Sequence, residues 1–203
     1  MAFLVDNLYS FCQQEIKNFI KAHPSETFYA FAIDANLLCF NSEEQFQKTL
    51  AQYHAVWQRK ARMISSWDDL SEQDLKDVEH LLGIYEKYQG LDRTDTKQCL
   101  AIINKQREKL QGQENPYNSQ AEIESLKANT GDWAYQGFSE MAEQDGFDFE
   151  LYDVHYELDE QDQSSSDYAN AMDELIKRLT ASDTFAGLKT TTDFSIHRVE
   201  HDD

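Results

Sequence analysis

Two short runs, Thr27 to Ile33 and Leu37 to Phe40, flank Asp34-Ala35-Asn36 and constrain this chain more than any other feature. Both are rich in β-formers and the polar triplet between them suits a tight turn, so the pair reads as a β-hairpin. Each run is apolar at consecutive positions rather than alternate ones. A strand of that kind has no face to give to solvent, which places the hairpin at the centre of a sheet.

Helical patterns surround it. Leu4, Leu8, Phe11, Cys12, Ile16, Phe19 and Ile20 recur at three- and four-residue steps and give the first helix one broad apolar face, ended by His23-Pro24. Ser42 with Gln45 has capping-box spacing and opens a helix striped with Phe46, Leu50, Tyr53 and Trp57, a core pattern. Leu75, Val78, Leu82 and Tyr85 share a face of a helix from Ser71 to Gln89, where Gly90 suits a left-handed cap. A further helix spans Thr94 to Gln111, with Cys99, Ile103 and Leu110 on a narrow face. Residues 58–118 thus form a polar helical middle, and Gly112 to Asn118 is too short a connector to separate domains. Ser119 with Glu122 starts a short helix through Leu126. Ser164 to Ser166 offers N-caps for a last one, with Tyr168, Met172, Leu175, Ile176 and Leu179 inward.

Three more strands are expected: Trp133 to Met141 with a bulge at Gly137, Phe147 to Leu158, and Asp193 to Glu200. In the second, Tyr152, Val154, Tyr156 and Leu158 alternate with Asp153, His155, Glu157 and Asp159, the pattern of a half-buried strand. The expectation is one α+β domain over residues 1–203, a mostly antiparallel sheet packed by amphipathic helices.

Charge narrows the partners. Between Lys127 and Lys177 there is no lysine or arginine, while fourteen aspartates and glutamates fall inside the gap. The other parts of the chain hold 24 acids against 18 bases, so most of the net charge of −20 is local to this stretch. Nucleic acid and anionic membrane are disfavoured, because phosphate binding is driven by Lys and Arg displacing counterions. Arg59, Lys60 and Arg62 beside Trp67 form the one basic, aromatic cluster, too small to reverse that balance. A basic protein is the partner that fits. Cys12, Cys39 and Cys99 lack the close spacing of zinc or redox motifs and read as reduced thiols. The Met1 end lacks a basic region and no run approaches a membrane span, so a cytoplasmic location is expected.

For chemistry, no nucleophile motif, HExxH, GxGxxG or Walker-type loop is present, so no enzyme and no cofactor are expected. The acids expected on the outer face from Asp145 to Asp162 make the candidate partner-binding set: Asp145, Asp148, Asp153, Glu157 and Asp159, with Trp133 as an aromatic anchor. An alternative uses Asp153, His155 and Glu157, three ligands on one strand face, for a divalent metal in a metal-binding protein or hydrolase; neighbours on that face lie about 6–7 Å apart, so another element has to complete the site. A third alternative is a structural subunit of a larger assembly. Asn129-Thr130-Gly131-Asp132-Trp133 reads first as a helix-closing turn that leads into a strand.

Phe28-Tyr29-Ala30-Phe31-Ala32-Ile33-Asp34 after an amphipathic first helix, and later Asn129-Thr130-Gly131-Asp132-Trp133-Ala134-Tyr135-Gln136-Gly137-Phe138, resemble a bacterial family of small proteins of unknown function. That family is grouped loosely with the SMI1/KNR4-like immunity proteins of polymorphic toxin systems. The resemblance covers most of the chain except residues 58–118. It implies an α+β fold, carries over no catalytic residues, and makes a toxin such as a nuclease the expected basic partner.

Overall fold

The computed structural model describes residues 2–65, 72–110 and 113–199. In chain order these form α1 (Val5–Ala22), β1 (Phe28–Asp34), β2 (Leu37–Ser42), α2 (Glu43–Ser65), α3 (Glu72–Gln89), α4 (Thr96–Leu110), α5 (Gln120–Ala128), β3 (Tyr135–Glu140), α6 (Phe149–Glu157), α7 (Glu160–Gln163), α8 (Asp167–Ala181) and β4 (Thr190–Val199). Short 3-10 turns cover Pro116–Asn118 and Thr130–Asp132. The fold is α+β. Its contacts divide into two compact units, one of Met1–Thr49 with Ser125–Asp203 and one of Leu50–Glu124.

The first unit holds the sheet, in strand order β3-β2-β1-β4. The hairpin is central as its composition requires: all seven residues of β1 are buried, and Phe31 faces Phe40 while Ile33 faces Leu38 across the antiparallel pair. Ala35 makes the turn at φ 54°, and its carbonyl accepts from the Tyr168 hydroxyl at 2.6 Å. β3 joins β2 antiparallel, with a register shift between Leu38 and Phe40 near Gly137, which sits at φ 62°. β4 pairs with β1 in parallel, so the sheet is mixed. Side-chain alternation reads the same in both directions along a strand, and the sequence therefore carries no sign of this orientation.

One face of the sheet presents Phe31, Ile33, Leu38 and Phe40 to Leu8, Cys12, Ile16 and Phe19 of α1 and to Met172, Leu175 and Leu179 of α8. Burying each such side chain contributes roughly 1.5–3 kcal/mol before chain entropy is subtracted. The spacings read from sequence are the ones that pack. At the amino end of α2, Ser42 Oγ accepts from Gln45 N–H at 3.2 Å, half of the expected capping box. Gln45 does not reach back; its amide goes to Glu26 and the Tyr135 hydroxyl, and Ser42 N–H is met by Asn41 Oδ1 instead.

The expected strand Phe147 to Leu158 is a correction: the segment is helix α6. Asp148 caps it, its carboxylate accepting from the N–H groups of Glu150 and Leu151 at 3.1 and 3.2 Å. Leu151, Tyr152, His155 and Tyr156 turn inward, a helical spacing that the alternation of polar and apolar residues masked. Ahead of α6, Leu4 N–H donates to Gly146 O at 2.9 Å, and Phe3 packs edge-on to Phe147 and Tyr168.

The second unit contains most of α2 with α3 and α4, within the expected polar middle. Arg59 pairs with Asp77 of α3. Trp67 lies outside the described residues. Among those described, no helix is long and apolar enough to cross a membrane.

Candidate interaction surface

On a helix with 3.6 residues per turn, positions 149, 150, 153, 154 and 157 occupy one side. In α6 all five are exposed: Phe149, Glu150, Asp153, Val154 and Glu157. The three carboxylates run about 10 Å along the axis. Phe149, 53% exposed, and Val154, 49% exposed, flank them. Among the described residues, none of the three acids has an ion-pair partner within 4 Å. The acids of neighbouring elements are used differently: Asp173 of α8 holds Arg198, and Asp6 of α1 holds Arg178.

The expected binding residues divide on inspection. Asp153 and Glu157 lie one turn apart on the exposed side of α6, and Asp159 is exposed at the N-cap of α7, its side chain making no cap hydrogen bond. Asp145 is exposed but accepts from Asn7 Nδ2 at 2.8 Å. Asp148 is buried, with its carboxylate spent on the α6 cap, and is therefore part of the support of this surface rather than of its face. Trp133 is also a correction, being only 4% exposed. Its ring meets Tyr29 and His197 edge-on, and its Nε1 donates to Lys127 O at 3.0 Å. An indole held in this way is core. Sequence reading missed Glu150, Phe149 and Val154, which only a helical period brings beside Asp153.

The metal alternative depended on a strand that is not there. On α6, Asp153 and Glu157 point out while His155 is fully buried. Its Nδ1 lies 2.8 Å from Ser166 Oγ, the N-cap of α8, and its ring packs on Tyr156 and Tyr168. Burial, with Arg198 nearby, holds its pKa below the ordinary histidine value. Among the described residues no group of three or more His, Cys, Asp or Glu is placed to hold a metal ion.

Two further polar centres escaped the sequence reading. Asp34, fully buried at the end of β1, accepts from Thr130 Oγ1 at 2.7 Å. That bond accounts for the Asn129 to Trp133 motif: Asn129 Oδ1 caps the 3-10 turn at Gly131 N–H, Thr130 ties the turn to the sheet, and Trp133 closes over it. At the other end of β1, Glu26 accepts from Ser42, Tyr135, His23 and Gln45. Burial opposes the charge, but those four donors together outweigh it and hold the carboxyl at about 2. A carboxylate so acidic is a poor proton acceptor at neutral pH and serves here to fasten β1, α2 and β3. In the second unit, a hollow lined by Tyr85, Gln89, Leu91, Gln98, Ala101, Ile102 and Lys105 contains no acid or histidine.

Comparison of the chain with protein-family models, curated proteins and solved structures finds no match. The fold and surface together describe an α+β protein with a two-turn acidic helix face, braced from beneath by a capped and buried side.

Proposed function

We propose that this chain is a non-enzymatic binding protein of immunity type that engages a basic protein, such as a toxin, through the exposed side of α6. The observation that carries the reading is the exposed row Glu150, Asp153 and Glu157 on a helix capped by Asp148, without an ion-pair partner among the described residues. Carboxylates left without internal cations keep their field for a partner, and complementary charge speeds encounter and fixes register. Phe149 and Val154 beside them supply apolar area that charge alone lacks. The aromatic motifs resemble a family of unknown function that is grouped loosely with immunity proteins, and that resemblance supports this role.

The test is co-expression with the product of the adjacent gene, followed by affinity measured at low and physiological salt. A complex that weakens with salt, and is lost when Asp153, Glu157 and Asp159 are reversed to lysine, supports the proposal. A complex indifferent to both, or none at all, overturns it.

A further inference from the structure

We infer that the outer edge of β4 pairs with β4 of a second copy of this chain, antiparallel and about a two-fold axis at Ser195, so that the two sheets become one. The strand order β3-β2-β1-β4 leaves two edges, and the chain treats them differently. β3 is six residues long, shifts register against β2 beside Gly137 and ends in Glu140. Shortness, an irregular register and a terminal charge are devices by which natural sheets blunt an edge. β4 is ten residues long and contains no proline, glycine or lysine. Its one arginine, Arg198, is turned to Asp173 of α8 at 3.1 Å, with 12% of its side chain exposed. Thr190, Thr192, Asp193 and Ser195 are exposed, and among the described residues no strand lies on the outer side of β4. The backbone N–H and C=O groups that alternate along such an edge are a template for another strand.

The strand matches itself. Thr190 pairs with Phe28 but Ser195 with Ala30, so β4 is irregular before Ser195 and regular from there to Val199. Phe194 and Ile196 pack on the core and Arg198 meets α8, while His197 meets Trp133 on the other face. By the same alternation Asp193 shares the side of His197. A two-fold axis normal to a sheet keeps each face on its own side, so positions that face one another differ by an even number. With the axis at Ser195, Phe194 faces Ile196 of the second copy on the core side, and Asp193 faces His197 of the second copy on the other. Facing residues of an antiparallel pair have Cβ atoms about 4.5–5.5 Å apart. That is close enough for apolar contact in the first case and for an imidazole to donate to a carboxylate in the second. An axis at Ile196 sets Phe194 against Arg198 and Asp193 against Val199; one at Phe194 sets Ile196 against Thr192. The match on both faces at Ser195 selects a second copy over an unrelated extended segment. The ladder is small beside a standard interface of roughly 1,600 Å², so the dimer is one that dilution separates. A net charge of −20 on each chain opposes it and salt screens that charge, so it tightens as salt rises, opposite to a complex with a basic protein.

The test is sedimentation velocity of the full chain over a dilution series, where monomer and dimer in equilibrium are expected, with more dimer at higher salt. Ser195→Lys sets two ammonium groups against each other at the axis and should raise the dissociation constant by roughly tenfold or more. Its unfolding midpoint should be unchanged, because Ser195 is exposed. With diamide as oxidant, Ser195→Cys should cross-link the dimer above the wild-type background from Cys99, whereas Thr192→Cys should not, since the axis holds the two copies of that position about 20 Å apart. A chain that is monomeric at every concentration, or a dimer that Ser195→Lys leaves intact, overturns the inference. Cross-linking at Thr192→Cys in preference to Ser195→Cys overturns the register. A peptide of alternating valine and threonine that dissolves the dimer as readily as a peptide of residues 190–199 overturns the choice of a second copy over extended segments in general.

Discussion

Thr130 Oγ1 and Asp34 Oδ2 lie 2.7 Å apart, both residues buried, and this bond joins the central strand to the turn before β3. A buried carboxylate that loses a donor retains its desolvation cost, about 1–3 kcal/mol. Thr130→Val keeps the shape and removes the hydroxyl, so it should lower the unfolding free energy by that amount, while Thr130→Ser should retain most of it. Equal denaturant midpoints for wild type and the valine variant would show that the hydroxyl contributes nothing.

Trp133 should prove a stability residue and not a binding residue. The Lys127 carbonyl accepts from both Trp133 Nε1 and the Tyr29 hydroxyl, so Trp133→Phe leaves one donor in place and should cost about 1–2 kcal/mol. Trp133→Ala opens a cavity and should cost about 3–5 kcal/mol. Affinity for a basic protein partner should stay the same in the phenylalanine variant. A loss of affinity with unchanged unfolding would return Trp133 to the role of anchor.

Gly146 is the position least tolerant of a side chain among those near α6. It sits at φ 106°, and a Cβ there would come within 2.9 Å of the backbone oxygen of Leu4. Gly146→Ala should destabilise by roughly 1–3 kcal/mol from backbone strain alone. Hydrogen exchange should localise the damage to the residues that open α6, because the Leu4 to Gly146 bond precedes the Asp148 cap. Unchanged exchange there, with unchanged stability, refutes this account.

What was legible in the sequence follows from which patterns are unique to one structure. The Phe28 to Phe40 hairpin, the α1 face and the Ser166-capped α8 were readable because burial on both faces, or a long 3.6-residue period, admits a single interpretation. The α6 segment failed because a nine-residue helix with a buried histidine can imitate alternation over a short window. One local signal did point the other way: Asp148 two residues before Glu150 is a helix start, with an acid in the first turn. The acidic surface was legible in composition, while its arrangement depended on this one assignment. Asp34 and Glu26 were hidden because their partners lie far off in sequence, 96 residues away for Thr130 and 109 for Tyr135.

His155, His197 and Glu26 together predict a protein weakened by acid in two stages. Burial holds His155 and His197 below the ordinary value of 6.5, with Arg198 adding to the effect at His155. The unfolded chain then binds protons more readily than the folded one, so stability falls as pH drops below about 6.5 toward the folded values. Glu26 acts lower: held at about 2 against an ordinary 4.5, it contributes stability that is complete above 4.5 and is lost as pH falls from there toward 2. Urea midpoints measured across this range should decline in both windows. His155→Gln should flatten the upper decline and leave the lower one, and Glu26→Gln should do the reverse. The glutamine at 155 can still meet Ser166 Oγ, so a variant that folds but keeps the full upper decline would assign that stage to His197 instead.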